Sequence, residues 1–144
     1  MDITQLTSLA TPRPQFDIVN FANPDMVGHT GNLSAAILAV EMIDRCLSKL
    51  TEALRDVGGT MLISADHGNI EMMRNPQNEE NHTQHTTGPV PVLLVNSNSD
   101  QVMLRDGSLS DLAPTILDLM DLPQPQEMTG QTLLSSPKQL PRHG

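Results

Sequence analysis

The sequence predicts an α/β fold, with a partial and mainly parallel sheet and flanking helices. Three observations support this class. Apolar runs of strand length occur at 60–65 and 89–96, a long amphipathic stretch precedes the first of them, and the elements follow the order strand, helix, strand, loop, strand, helix. Right-handed crossover connections would place the long helix on one face of the sheet. The chain has 144 residues, which corresponds to a single domain.

The chain begins with an irregular segment and a predicted strand. Residues 1–15 are rich in Ser, Thr and Pro, and we interpret them as an irregular lead-in. FDIVNF at 16–21 contains β-branched and aromatic residues and stops before Asn23-Pro24, which predicts a strand followed by a turn. Prolines accumulate near the other end of the chain. We therefore divide the chain into a lead-in, a folded part and a flexible tail, at 1–15, 16–134 and 135–144.

Residues 32–57 predict a long amphipathic helix. Apolar residues recur there in steps of three and four along one face, namely Leu33, Ala36, Ile37, Val40, Ile43, Leu47, Leu50, Leu54 and Val57. Gly58 and Gly59 end the helix, because glycine readily adopts the left-handed conformation after the last turn. Cys46 lies within the helix, and we interpret it as a packing residue rather than a reactive thiol.

Two strands and a short helix complete the predicted fold. The apolar runs TMLISA and PVPVLLVN predict buried strands, with a long polar loop at 74–89 between them. SDLAPTILDLM at 110–120 predicts a short helix whose N-terminus is capped by Ser110 or Asp111. Pro114 falls in the first turn of this helix, where proline is tolerated.

The composition excludes several function classes. Seventeen acidic residues against eight Lys and Arg give a net charge of −9, which argues against sequence-independent binding to nucleic acid and against an anionic membrane surface. The single cysteine excludes an intrachain disulfide and fits a reducing compartment. The sequence has no apolar run near the ~20 residues of a membrane span and no signal-peptide core. We therefore expect a soluble cytoplasmic protein without nucleic-acid or membrane partners.

Acidic and histidine residues follow the predicted strands and recur in the polar loop. In chain order, these candidates are Asp25, His29, Asp66, His67, His82 and His85. Because ligands bind at the carboxyl ends of strands in open α/β sheets, the side chains are expected at one edge. Carboxylate and imidazole together suit Mn, Zn or Fe, and two such clusters suit a two-metal site that clamps a phosphoryl group. Each residue also has a structural explanation, as a turn former, a cap or a solvated loop residue, so the residues alone leave both alternatives open.

Three motifs taken together resemble one enzyme family. NFANPDMVGHTGN at 20–32, ISADHGNIEMM at 63–73 and HTQHTTGPVPVLLV at 82–95 resemble the C-terminal part of the cofactor-independent, or 2,3-bisphosphoglycerate-independent, phosphoglycerate mutases of the alkaline phosphatase superfamily. LAPTILDLM at 112–120 and PQEMTGQTLL at 125–134 resemble the final helix and tail of the same enzymes. The resemblance implies that the folded part is the metal-binding fragment of an alkaline-phosphatase-like domain.

The resemblance also implies a ligand set and a reaction. Matched to the family motifs, the ligands of a first manganese ion are Asp25, His29 and His85, and two ligands of a second are Asp66 and His67. His82 matches a position that is not a ligand. These enzymes are isomerases of glycolysis that convert 3-phosphoglycerate to 2-phosphoglycerate through a phosphoserine. Phosphoglycerate is therefore the substrate that the resemblance implies.

The resemblance further implies what this chain lacks. The family's nucleophilic serine, a further aspartate ligand and the basic residues that hold the substrate have no match here. We therefore assign no catalytic residue, leave the substrate-binding residues unknown, and expect the chain to be inactive without a complementary chain that carries the missing half. Two alternatives stay open: a non-catalytic metal-binding or relic module, and a segment of another phosphotransferase of the superfamily, such as a phosphopentomutase.

Overall fold

The computed structural model describes residues 16–96 and 102–135. The predicted lead-in at 1–15 and residues 136–144 of the predicted tail lie outside the described residues. The chain divides into two compact units. One contains the residues up to Gly59 together with His67–Val90, and the other contains Thr60–Asp66 together with the residues from Pro91 onward.

The first unit opens with a short helix where the sequence predicts a strand and a turn. Helix α1 spans Asn23–Gly28, and Pro24 lies at its start, where the fixed φ and missing N–H of proline are tolerated. Residues 16–20 are exposed and belong to no strand. The predicted strand at 16–21 is therefore wrong. A strand needs a neighbour for its backbone hydrogen bonds, which residue preferences alone do not provide.

A long helix follows and confirms the prediction. Helix α2 spans Leu33–Val57. The Asn32 side chain accepts a hydrogen bond of 3.0 Å from the Ala35 backbone N–H at its start. Gly58 ends the helix in the left-handed conformation, with φ of 65°. Both ends are thus set by residues that lie next to them in the sequence.

Helix α2 buries only part of its apolar surface. Ala36 and Leu50 are buried, whereas other apolar side chains of the helix are exposed, namely Leu33, Ile37, Leu38, Val40, Met42 and Val57. Cys46 is a half-buried free cysteine, in agreement with a packing role. Across the part of the chain that the structure describes, no helix is long and apolar enough to cross a membrane.

The rest of the first unit is the predicted polar loop and the segment before it. A 3₁₀ turn spans Ile70–Met72. Two isolated antiparallel bridges hold the loop, one between Gly68 and Thr86 and one between Arg74 and Asn81. The predicted loop is therefore confirmed. The bridge from Thr86 back to Gly68 brings residues that are distant in the sequence close together.

The second unit contains two small sheets. Strand β1 (Thr60–Ser64) pairs with β2 (Val92–Asn96), and the pairing is antiparallel. The α/β class is confirmed as a mixture of helices and small sheets, and both strands fall within the predicted runs. The mainly parallel pairing is wrong for the described strands. A parallel pair needs a crossover, usually helical, whereas here a loop with one 3₁₀ turn connects β1 to β2 and allows the chain to return in the opposite direction.

The second sheet and a short helix follow. Strand β3 (Met103–Leu104) pairs antiparallel with β4 (Leu134–Ser135), so the first residue of the predicted tail lies in a strand. Between the two strands, a 3₁₀ turn at Leu109–Asp111 runs directly into helix α3 at Leu112–Leu119. The predicted short helix is confirmed, although the two-residue strands are too short for any pattern in the sequence to indicate them.

The cap at the start of this helix differs from the prediction. Ser108 and Asp111 form a capping box, in which the Ser108 backbone N–H donates to Asp111 Oδ2 at 3.0 Å. Ser110 is not the cap, and its hydroxyl lies 2.7 Å from the Ser108 hydroxyl. The 3₁₀ turn extends the helix toward the N-terminus, so the unpaired N–H groups lie upstream of the expected position. Thr115 and Leu133 are buried beneath this turn, with exposures of 0% and 2%.

Candidate metal centre

Two of the candidate ligands are brought together by helix α1. Asp25 lies in its first turn and His29 is the residue at its C-terminal end. Residues four positions apart share one face of a helix, and Asp25 Oδ1 lies 3.4 Å from His29 Nε2. The prediction placed this pair at the end of a strand. In the structure the pair lies on a helix instead, and one helical turn brings the two side chains together.

The third side chain of the group comes from the polar loop. His85 Nε2 lies 2.9 Å from Asp25 Oδ1 and 3.2 Å from His29 Nε2. One ligand atom from each of Asp25, His29 and His85 therefore lies within 4.8 Å of the others. In the ranges 16–96 and 102–135, no second group of three acidic, histidine or cysteine side chains converges in this way. We call these three residues the triad.

The imidazole of His29 is oriented by a hydrogen bond at its Nδ1 atom. His29 Nδ1 lies 2.7 Å from the main-chain oxygen of Thr83. A carbonyl oxygen can only accept, so Nδ1 carries the proton and donates it. The Nε2 of a neutral ring then presents its lone pair toward Asp25 and His85. Histidines that bind metals are commonly held in this way through their second nitrogen.

The charge of Asp25 is also stabilised. The pKa of this carboxyl lies below its ordinary value, first because the Asn69 amide donates a hydrogen bond to it and then because of the neighbouring imidazoles, which together outweigh the opposing effect of burial. The carboxylate therefore stays ionised at neutral pH. A permanent negative charge beside two imidazole nitrogens is a suitable environment for a divalent cation.

His67 lies beside the triad. Its ring stacks on the ring of His85, with centroids 3.7 Å apart and planes 22° from parallel. Asp66, the residue before it, is exposed and follows β1 in the second unit. The structure thus brings Asp25, His29 and His85 into one group with His67 against it.

His82 lies outside the triad. Its backbone N–H donates to the Met73 carbonyl at 3.0 Å. Its ring is half-buried, and among the described residues its Nδ1 has no hydrogen-bond partner. Its ring therefore supplies no ligand atom to the triad.

Two residues that contact the triad were not identified from the sequence. Asn69 donates through Nδ2 to Asp25 Oδ1 at 2.7 Å, and Thr83 accepts from His29. Asn69 follows the predicted ligands Asp66 and His67 in the ADHGN motif, which could have indicated it. Thr83 acts through its backbone carbonyl, for which the sequence carries no signal.

The donor set of the triad fits a transition metal. It offers one carboxylate oxygen and two imidazole nitrogens. Imidazole suits Zn, Cu, Fe and Ni, whereas Ca and Mg prefer oxygen ligands. Asp25, His29 and His85 are each partly exposed, so an ion can reach them from solvent. The ordered Nδ1 contact of His29 and the ionised Asp25 are the features that such a site requires.

Comparison with known proteins agrees with this chemistry. The model of the metalloenzyme superfamily matches residues 2–124. The 2,3-bisphosphoglycerate-independent phosphoglycerate mutase of Rhodopseudomonas palustris is 61% identical over 117 residues, which cover 81% of this chain and 23% of the relative. The enzyme of the same name from Francisella philomiragia is 51% identical over 121 residues, which cover 84% of this chain and 24% of the relative.

A solved structure of a phosphoglycerate mutase is also similar to this chain. A phosphoglycerate mutase of Leishmania mexicana, determined at low cobalt concentration, matches with a TM-score of 0.71 and 33% identity, over 82% of this chain and 24% of that one. The chain spans about a quarter of the length of the relatives that it matches. It is thus similar to one segment of these mutases, as the motifs predict. Because the family model matches more than half of its residues, the chain belongs to the metalloenzyme superfamily.

Proposed function

We propose that the chain is the metal-binding segment of a 2,3-bisphosphoglycerate-independent phosphoglycerate mutase, and that Asp25, His29 and His85 hold one manganese ion. The observation that carries this proposal is the convergence of one carboxylate oxygen and two imidazole nitrogens within 4.8 Å. The ionised Asp25 and the oriented ring of His29 support it, because a metal ligand must be deprotonated and its lone pair must be free.

We further propose that Asp66 and His67 are two ligands of a second manganese ion. They match the family motif, and they are a carboxylate and an imidazole that follow β1 after one intervening residue. Bound metal ions would stabilise the negative charge of a phosphoryl group during its transfer. The residues of this chain would bind and orient the ions for that purpose.

The full reaction is proposed to need segments that lie outside this chain. The relatives are about four times as long as the matched segment, so we place the nucleophilic serine and the phosphoglycerate-binding residues in the remaining three quarters. These come from a complementary chain or from the rest of a longer polypeptide. The reaction would be the conversion of 3-phosphoglycerate to 2-phosphoglycerate in glycolysis, in the cytoplasm.

The first experiment is a calorimetric titration of the purified chain with Mn²⁺. We expect saturable binding that is lost in Asp25→Ala and retained in Asp44→Ala, a matched control at an exposed aspartate of α2. Absence of binding by the unaltered chain, or equal loss in both variants, contradicts the proposed metal site.

The second experiment tests the reaction. The matched segment of the Rhodopseudomonas palustris mutase is replaced by this chain, and the hybrid is assayed for the conversion of 3-phosphoglycerate. We expect activity that requires Asp25. An inactive hybrid that still binds Mn²⁺ would favour a non-catalytic metal-binding module instead.

A further inference from the structure

Asn69 connects the triad to the 3₁₀ turn at Ile70–Met72. It lies one residue before the 3₁₀ turn and is 5% exposed. We propose that Asn69 is a positioning residue, which holds Asp25 in the orientation needed for metal binding and is itself held by Glu71. This inference rests on the proposed metal site.

The Asn69 amide contacts Asp25 at two points. Nδ2 donates to the carboxylate oxygen Oδ1 at 2.7 Å and lies 3.3 Å from the main-chain oxygen of the same residue. Both partners are acceptors, so the nitrogen and not the oxygen of the amide must face them. The amide therefore fixes the side chain and the backbone of Asp25 relative to each other.

The oxygen that Asn69 holds is the one that faces the histidines. Asp25 Oδ1 is also the atom that lies nearest to His29 Nε2 and His85 Nε2. A carboxylate oxygen has two lone pairs. One accepts from Asn69, and the other is left toward the imidazoles, where an ion would bind. Without this bond, the carboxyl group would rotate between several orientations and would lose part of its affinity for a cation.

Glu71 holds Asn69 in place and connects it to the loop of His85. Glu71 Oε2 accepts from the Asn69 backbone N–H at 2.6 Å, and Oε1 accepts from the Thr86 hydroxyl. Thr86 follows His85 directly, and its backbone N–H donates to the Gly68 carbonyl at 2.8 Å. One carboxylate thus ties the element that orients Asp25 to the element that supplies His85.

The close packing of α1 on Asn69 agrees with this role. A Cβ added at Gly28 would clash with the Asn69 side chain, lying 2.7 Å from its Cγ and 2.9 Å from Cγ2 of Ile70. Glycine at this position therefore leaves the space that the amide occupies beside Asp25. The packing of α1 against Asn69 therefore keeps its side chain next to the Asp25 carboxylate.

The test is a Co²⁺ titration of the full chain, because the visible absorption of bound cobalt reports the arrangement of its ligands. Asn69→Ala is compared with the unaltered chain and with Asn75→Ala. The control residue is an asparagine of the same unit that accepts from the Gln77 backbone N–H, so it loses a loop hydrogen bond without touching the triad. Circular dichroism verifies that each variant folds. If Asn69→Ala does not fold, Asn69→Leu is used, since leucine is close to asparagine in size and shape but has neither the donor nitrogen nor a charge.

We expect Asn69→Ala to bind Co²⁺ about 10–100-fold more weakly, as is typical when the hydrogen-bond partner of a ligand is removed. We also expect an altered absorption spectrum per bound ion, with both properties unchanged in Asn75→Ala. Weaker binding with an unaltered spectrum, or unchanged binding, overturns the positioning role. Absence of binding by the unaltered chain overturns the proposed metal site and this inference with it, so the two failures are distinguishable.

Discussion

His29 Nδ1 lies 2.7 Å from the main-chain oxygen of Thr83, and this contact links the two ligand-bearing segments of the triad. In a neutral ring, the carbonyl selects the tautomer that carries its proton on Nδ1 and leaves Nε2 able to bind a metal. Thr83 lies two residues before His85, so the loop that supplies the third ligand also orients the second. A change that displaces this loop is therefore expected to weaken metal binding at both histidines.

The two histidines of the loop are predicted to differ in their effect on metal affinity. His85→Gln removes an imidazole nitrogen that lies 2.9 Å from Asp25 Oδ1. We expect it to weaken Mn²⁺ binding at least about 10-fold, since even the partners of ligands contribute that much. His82→Gln is the matched control, and it should leave the affinity unchanged because the ring lies outside the triad. Calorimetric titration measures both. Equal losses in the two variants would contradict the expectation that His85 and not His82 contacts the metal.

Asp111 is predicted to stabilise the protein only above acidic pH. Its pKa lies below the ordinary value because the backbone N–H groups of Gln131 and Ser108 donate to its two oxygens, at 2.8 and 3.0 Å. The folded state therefore binds the proton less tightly than the unfolded state does. The stabilisation is fully present above the unfolded pKa of about 3.9 and is lost as the pH falls toward the lower, folded value.

The measurement for Asp111 is the urea midpoint as a function of pH. We expect the midpoint of the unaltered chain to fall as the pH decreases below about 4. Asp111→Asn should lower the midpoint at neutral pH and flatten this acid dependence, because an amide does not titrate. An acid dependence that is equally steep in the variant would assign it to other carboxyl groups.

The sequence predicted the elements that local signals determine. Helix α2 was predicted correctly to within one residue at each end, because the residues that cap it, Asn32 and Gly58, are its neighbours in the sequence. The strand at 16–21 was wrong, and the antiparallel pairing of β1 with β2 was missed. Both errors have one physical cause, since strand formation and pairing direction depend on partners that are distant in the chain.

The candidate site was likewise predicted only in part. Asp25, His29 and His85 were predicted from motifs, and the structure brings them together. Asn69 was missed because its bond to Asp25 joins residues 44 positions apart. The geometric reason given for the Asp25–His29 pair was also wrong, since a helical turn and not a strand end produces it. A motif therefore indicates which residues act, while the contacts that orient them need the folded structure.

Substitution by alanine is predicted to have different effects on metal binding at Gly58 and at Gly28. Gly58 has a positive φ of 65° and no atom near an added Cβ, so Gly58→Ala should cost only the left-handed strain of about 1–2 kcal/mol. It should leave the Mn²⁺ affinity unchanged. Thermal unfolding and calorimetry measure the two properties, and a loss of metal binding in this variant would contradict the expectation.

Gly28→Ala is expected to weaken metal binding. The added Cβ would clash with the Asn69 side chain, which must then move away from Asp25. We expect the Co²⁺ affinity to fall by about the same 10–100-fold as in Asn69→Ala, and the double variant to show no further loss. Additive losses in the double variant would mean that Gly28 acts independently of Asn69.

Thr115 is predicted to stabilise the second unit through its hydroxyl. The side chain is fully buried, donates to the Asp111 carbonyl at 2.6 Å and accepts from the Leu133 backbone N–H at 2.8 Å. Thr115→Val keeps the shape but leaves the Leu133 N–H unpaired in the core, which should lower the free energy of unfolding by about 1–3 kcal/mol. Thr115→Ser keeps both hydrogen bonds and loses one methyl group, at about 0.8 kcal/mol. Urea unfolding of the three proteins should therefore rank them Thr, Ser and Val in decreasing stability. If Val were more stable than Ser, packing and not the hydroxyl would connect α3 to the strand that follows Leu133.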